Sequence, residues 1–257
     1  MTYTIAVINQ KGGVGKSTTA LTLAASLASR FKRVLLLDMD AQGNLTFTVG
    51  ASRSGASAFG VLTREVSMRD AIQRIGNLDF VPASASLAKT DVILSNETGK
   101  EYRLREAIET VSADYDYIVI DTPPALGILS VNALAACNGA IIPAQADIYS
   151  LQGIDQLNDT LQPVRKYCNP SLKVEGILLT RYDGRTVLSR QIVELAEKFA
   201  QRLGTKVFDA KIRETVTVKE SQLAQKSLLD YAPTSPVTAD YEAFAAELLK
   251  DIERDNE

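Results

Sequence analysis

Residues 11–18 read Lys11-Gly12-Gly13-Val14-Gly15-Lys16-Ser17-Thr18, and this stretch decides the fold. Set against the phosphate-loop pattern G-x-x-x-x-G-K-[ST], residues 10–17 satisfy the second half, with Gly15, Lys16 and Ser17 in place and the first glycine displaced. Gly12 and Gly13 supply the compactness instead, because a residue without Cβ tolerates positive φ and lets backbone N–H groups approach a ligand. Before the loop, Tyr3-Thr4-Ile5-Ala6-Val7-Ile8 is an apolar, β-branched run of strand length; after it, residues 18–29 are rich in Ala and Leu and predict a helix. Strand, loop and helix in this order set the unpaired donors of a helix N-terminus against a phosphate. Lys16 adds a point charge for the β- and γ-phosphates and Ser17 a hydroxyl for Mg²⁺, with Gly12, Gly13, Val14, Gly15 and Thr18 as the other candidate contacts. Lys11 is surplus: a lysine upstream of the loop is not needed to cradle that loop's own phosphate.

Working outward, strand-like runs recur at 3–8, 33–37, 78–81, 117–120, 139–144 and 174–180, with helix-like segments between most of them. This alternation predicts an α/β fold, a mostly parallel twisted β-sheet with helices on both faces. The runs at 34–37 and 118–120 are apolar without a period of two, as expected of central strands buried on both sides. Both end in aspartate, Asp38 and Asp121. Ligands of open α/β sheets sit beyond the carboxyl ends of the strands, so both carboxylates are expected near the phosphate loop. The looser region 50–100 reads as an insertion carrying short helices at 67–74 and 86–95. Further helices are expected at 151–167, 187–203 and 239–252, the last with Tyr241, Phe244, Leu248 and Leu249 on one face that packs on the core. One domain spanning 1–257 accounts for the length, with no helix-turn-helix unit ahead of the first strand.

Asp38-Met39-Asp40-Ala41-Gln42-Gly43-Asn44 sets two carboxylates on alternate positions after a buried strand, which sends them in different directions. Asp38 can hold Mg²⁺ through water, and Asp40 can face a γ-phosphate and position the attacking water. Tyr117-Ile118-Val119-Ile120-Asp121-Thr122-Pro123-Pro124 is a hydrophobic strand ending in a second candidate Mg²⁺ carboxylate, followed by prolines that fix the exit of a loop. The metal candidates are therefore Ser17, Asp38 and Asp121.

The chain has 257 residues, 46% of them hydrophobic, and a net charge of −3. With no histidine, Ser-His-Asp catalysis and histidine-bound metals are excluded, which leaves base chemistry to carboxylates or positioned water. Cys137 and Cys168 lack metal-ligand spacing, and no apolar run approaches the roughly 18 to 20 residues of a membrane span. Reduced thiols and a cytoplasmic location are the expectation, with no membrane partner. The charge is uneven: residues 181–226 carry ten Lys and Arg against six Asp and Glu, so contact with nucleic acid would come from a local patch.

Together KGGVGKST, DMDAQGN and DTPP resemble, in order and spacing, the deviant Walker A motif and its companions in the ParA/MinD class of P-loop ATPases. The later stretches at 179–185, 212–214, 219–221, 231–233 and 240–241 resemble the partitioning ParA proteins, with alanine at 41 where the class usually has proline. That resemblance implies ATP and Mg²⁺ as ligands, catalytic roles for Lys11, Lys16 and Asp40, and an ATP-driven homodimer in which Lys11 reaches the partner's nucleotide. It sets the stretch around Arg213 and Thr215 against the adenine, although a proline and an asparagine usual there are missing. It further implies non-specific binding of double-stranded DNA by the dimer. Arg185 stands at a matching position, Arg213 and Lys219 lie near another, and Arg190, Lys198, Arg202 and Lys206 are weaker candidates on charge alone. Release after hydrolysis stimulated by a ParB-like protein and a nucleoid-associated location complete the expectation. The alternative function is a ParA-like positioning ATPase for a protein cargo.

Overall fold

The computed structural model describes residues 2–255, the side chains of Tyr149, Gln152 and Val187 apart, so the ends of the domain expected over 1–257 lie outside the described residues. Seven strands form one sheet: β1 Tyr3–Val7, β2 Val34–Asp38, β3 Gln73–Ile75, β4 Leu78–Val81, β5 Tyr117–Asp121, β6 Gly139–Gln145 and β7 Lys173–Thr180. Their order across the sheet is β3-β4-β2-β5-β1-β6-β7, and every pairing is parallel except β3 with β4. The helices are α1 Lys16–Ser29, α2 Asn44–Thr48, α3 Ala58–Leu62, α4 Met68–Ala71, α5 Thr90–Ile93, α6 Arg103–Glu109, α7 Ile128–Ala136, α8 Ile148–Tyr167, α9 Val187–Leu203, α10 Thr217–Leu223, α11 Leu228–Tyr231 and α12 Pro236–Asp255.

Side-chain alternation along the central strands divides the interior in two. Ala6, Leu35, Leu37, Ile118 and Ile120 point to a core shared with α3, α4 and α6 to α9. Ile5, Val7, Val34, Leu36 and Val119 point to a second core under α1, α11 and α12. Both faces are covered, which is why these runs lack polar alternates. In α12 the residues Tyr241, Phe244 and Leu248 are buried and Leu249 is partly so, as the core reading of that stripe required.

The region 50–100 departs from expectation. Residues 73 and 74, placed by the sequence in a helix at 67–74, join Ile75 in the antiparallel edge strand β3 instead; only Met68–Ala71 is helical. The reason is local: Gly76 takes φ 55° and, with Asn77, closes a tight hairpin that pairs Ile75 with Leu78. The helix expected at 86–95 breaks into a 3₁₀ turn at Ala85–Lys89 and the single turn of α5. Helix α8 begins earlier than residue 151 because Asp147 caps it, accepting a hydrogen bond from the Ser150 N–H at 2.8 Å. Among the described residues no helix is long and apolar enough to cross a membrane.

Candidate functional site

The central strands all end on one side of the sheet, and there the phosphate loop closes one wall of a cleft of about 930 Å³. Gly13 and Gly15 hold φ of 76° and 91°, so the turn before α1 needs a residue without a side chain at both positions. The loop carbonyls are tied back from the cleft. Lys16 Nζ donates to Lys11 O at 3.1 Å, Gln145 Nε2 to Gly13 O at 3.0 Å and Thr180 Oγ1 to Val14 O at 2.9 Å. Asn9, fully buried, accepts the Lys11 N–H at 2.9 Å and donates to Pro143 O at 2.7 Å. With their oxygens engaged, the loop's N–H groups are what remains for an anion, and α1 adds its N-terminal donors. Gly12 to Thr18 all line the cleft, with Asp40, Pro124, Arg213, Thr215 and Lys219 on the facing walls.

Asp38 and Asp121 are register partners across β2 and β5, both fully buried. Their duties differ. Asp38 Oδ2 accepts from the Thr46 N–H at 2.8 Å and the Thr46 hydroxyl at 2.7 Å, while Oδ1 accepts from the Asp40 N–H at 3.0 Å. It therefore clamps the turn that carries Asp40 and starts α2, whereas the sequence offered it as a metal ligand on a par with Asp121. Neither oxygen of Asp121 makes a hydrogen bond of ordinary geometry, although the Ser17 hydroxyl lies near enough to act on the carboxyl. Burial, the largest influence, and then the nearby Asp38 carboxylate raise the Asp121 carboxyl well above its ordinary range; the Ser17 hydroxyl and the Lys16 ammonium oppose that rise. Burial likewise pushes Asp38 up to about 6. The Lys16 ammonium is pulled down by burial and held up by Asp121 and Asp40. A buried carboxylate beside a loop serine offers oxygen donors of the kind that suit a Mg²⁺ taking its other ligands from water and phosphate. Among the described residues no three histidine, cysteine, aspartate or glutamate side chains converge as a metal cage.

Other expected residues are placed less simply. Lys11 lies outside the cleft wall, with Nζ 3.1 Å from Asp147 Oδ1 and 2.9 Å from Ser150 Oγ. Arg213 lines the cleft but is forked onto Asp240, with both bonds at 2.7 Å. Arg185 is exposed and forked onto Asp183 at 2.8 and 2.9 Å. The basic excess of 181–226 is also met by acids from elsewhere in the chain: Arg202 pairs with Asp155, Lys206 with Glu247 and Asp251, and Arg213 with Asp240. Among the described residues Arg190, Lys198, Lys219 and Lys226 have no ion pair. Arg181, at the end of β7 with φ 49°, lines the cleft and stands 3.9 Å from Glu214.

Sequence reasoning missed Asn9, Thr46, Gln145, Asp147, Ser150, Thr180 and Arg181. Most sit at the carboxyl end of a strand or just beyond, where a polar residue faces the ligand side of an open sheet, and that position was the usable signal.

The AAA domain family matches residues 2–174. The chromosome partitioning protein ParA of Myxococcus xanthus is 39% identical over 96% of this chain and 87% of its own length. The sporulation initiation inhibitor protein Soj of Bacillus subtilis is 40% identical over 90% of this chain and 92% of its own. Among solved structures, the cobyrinic acid a,c-diamide synthase of Mycobacterium smegmatis, with bound ADP and magnesium, is 34% identical and superposes with a TM-score of 0.86, covering 98% of this chain and 96% of that one. A mostly parallel sheet with a deviant phosphate loop at its centre, matched this closely along nearly all its length, makes the chain a member of the AAA domain family and, within it, of the ParA/Soj proteins.

Proposed function

We propose that the chain acts as one ATPase domain that partitions DNA, its nucleotide state deciding whether it is a monomer or a DNA-bound homodimer. The observation that carries this reading is the cleft itself: Lys16, Ser17 and Asp40 line it together, the Asp121 carboxylate lies buried close to Lys16 and Ser17, and Lys11 stands outside it. The ADP and magnesium held by the mycobacterial relative, and the chromosome-partitioning name of the ParA relative, support it.

In this reading the loop N–H groups and Lys16 hold the β- and γ-phosphates of ATP, while Arg213 and Thr215 border the base. Ser17 and Asp121 would hold Mg²⁺, which supplies charge neutralisation on the phosphate oxygens. Asp38 keeps Asp40 in place, and Asp40 orients the attacking water. Phosphoryl transfer demands mainly positioning and charge neutralisation, so the absence of histidine is no handicap. Lys11 neutralises charge on the nucleotide of a second copy. Arg185, Lys219 and Arg213, duplicated in the dimer, meet DNA phosphates without reading sequence. Pairs such as Arg185 with Asp183 are exposed and exchange readily for a phosphate. A ParB-like partner accelerates hydrolysis and resets the cycle.

The test is binding to random-sequence duplex DNA with ATP, with ADP, and by Lys16→Gln, at low and moderate salt. The expected result is tight binding with ATP alone, weakened steeply by salt. Binding that ignores the nucleotide, or none at any salt, would remove DNA from the proposal and leave a protein cargo.

A further inference from the structure

We infer that Arg53 is a positioning residue for ATP hydrolysis: its guanidinium braces the turn that presents Asp40, so that one carboxylate oxygen stays set for the attacking water. The inference rests on the proposed role of Asp40 and adds the side chain that keeps it in place.

The turn runs from Asp40 to Gly43. The Gly43 N–H donates to Asp40 O at 2.9 Å, which makes it a β-turn with Ala41 and Gln42 at its crest. Asp40 Oδ1 accepts the Gln42 N–H at 3.0 Å, so that oxygen is committed to the turn and Oδ2 is the one left for a water. The direction of Oδ2 then depends on where the crest sits. Asp38 holds the entrance through the Asp40 N–H, and its bonds from Thr46 hold the exit. Neither tie reaches Ala41 or Gln42.

Arg53 supplies that hold. Its Nη2 donates to Gln42 O at 3.1 Å. The guanidinium also lies against Gly43, where a Cβ would meet Nη2 at 2.8 Å, Cζ at 3.0 Å and Nε at 3.2 Å. Glycine at 43 therefore answers two demands, a φ of 64° and room for the arginine. Arg53 is not among the residues that line the cleft, so it acts through the turn and not on the nucleotide. Its own loop is anchored at both backbone groups of Ser52: the Ser52 N–H donates to Gln73 Oε1 and Gln73 Nε2 donates to Ser52 O, each at 3.0 Å. Gln73 opens β3, and β3 is joined through β4 to β2, the strand that ends in Asp38. The edge strand thus serves as the footing of a brace that ends on the Asp40 turn.

Turnover of the full chain is followed by phosphate release at saturating ATP and Mg²⁺, and nucleotide affinity by calorimetry with a non-hydrolysable ATP analogue. Arg53→Ala is expected to lower kcat about fivefold, about 1 kcal/mol on the barrier, with analogue affinity and melting temperature unchanged. Arg53→Lys keeps the charge but not the planar fork and should lose about as much. Ala41→Pro supplies the rescue. Proline suits the second position of such a turn, Ala41 lies outside the positive-φ region, and among the described residues its N–H donates no hydrogen bond that a proline would forfeit. In the Arg53→Ala background Ala41→Pro should restore most of the lost kcat; in the wild-type chain it should change kcat little. A proline that fails to rescue, an Arg53→Lys protein with full turnover, or a loss of affinity in place of kcat overturns the brace. So does an Arg53→Ala protein that turns over like wild type while Asp40→Ala is inert, a result that leaves the role of Asp40 standing. Asp40→Ala hydrolysing at the wild-type rate overturns that role, and the brace with it.

Discussion

Asp121 shows most plainly how a single residue here is shaped for a ligand at the expense of the fold. A fully buried carboxylate that makes no hydrogen bond of ordinary geometry and faces Asp38 on the neighbouring strand costs stability that the nearby Lys16 ammonium offsets only in part. Asp121→Asn should therefore raise the melting temperature by several degrees in EDTA at pH 7.5, and the same variant should lose Mg²⁺-dependent nucleotide binding, measured by calorimetry. The pH dependence follows from the same pair. With the Asp38 carboxyl at about 6, against an ordinary 3.8, the folded protein binds a proton that the unfolded chain has released. Stability then falls as pH rises from about 4 through about 6 and levels off above. In EDTA the wild type is expected to melt higher at pH 5 than at pH 7.5, and that difference should shrink in Asp121→Asn, where one of the two interacting charges is gone. A melting temperature flat across this range would contradict the shared-charge account.

Between elements, the junction of β7 with α12 bears load far from the chemistry. Gly176 in β7 leaves room for the Phe208 ring, which a Cβ would meet at 2.6 Å, and Phe208 meets Phe244 of α12 edge to face at 4.9 Å. Gly176→Ala forces that stack to move and should cost about 1 to 3 kcal/mol; Phe244→Ala empties it and should cost about 3 to 5 kcal/mol. Urea titration checks both, and measured close to one another the two losses should be non-additive in the double variant. Elements were also where the sequence was most and least legible. The loop, the buried strands and their terminal aspartates stood out because each is written in consecutive residues. Strand β3 did not, since its three residues follow a helical turn and only the Gly76-Asn77 turn betrays the change of direction. The pairing of Lys11 with Asp147 spans the register of two strands, and no local pattern announces it.

Once the chain is folded, the basic excess counted between residues 181 and 226 overstates the positive charge of that region. Asp155, Asp240, Glu247 and Asp251 are distant in sequence and return charge to that region once the chain folds. A single protomer should thus bind DNA weakly, and affinity should come from juxtaposing two. The slope of log K against log salt is expected to be about twice as steep for the ATP-bound wild type as for Lys11→Ala, because the number of phosphates neutralised doubles. Equal slopes would mean that the binding unit is one chain.

The phosphate loop is fastened through its carbonyls by Gln145 and Thr180 and at its entry by Asn9, and none of these three ties is given up to a phosphate. Little of it is left to order when an anion arrives, so its half of nucleotide capture resembles filling a mould. The entropy of capture then belongs to the opposite wall, where Arg181, Lys219 and Lys226 are loosely held. Inorganic pyrophosphate, which touches only the mould, should bind with a much smaller entropic penalty than ATP, whose base must still gather that wall around it.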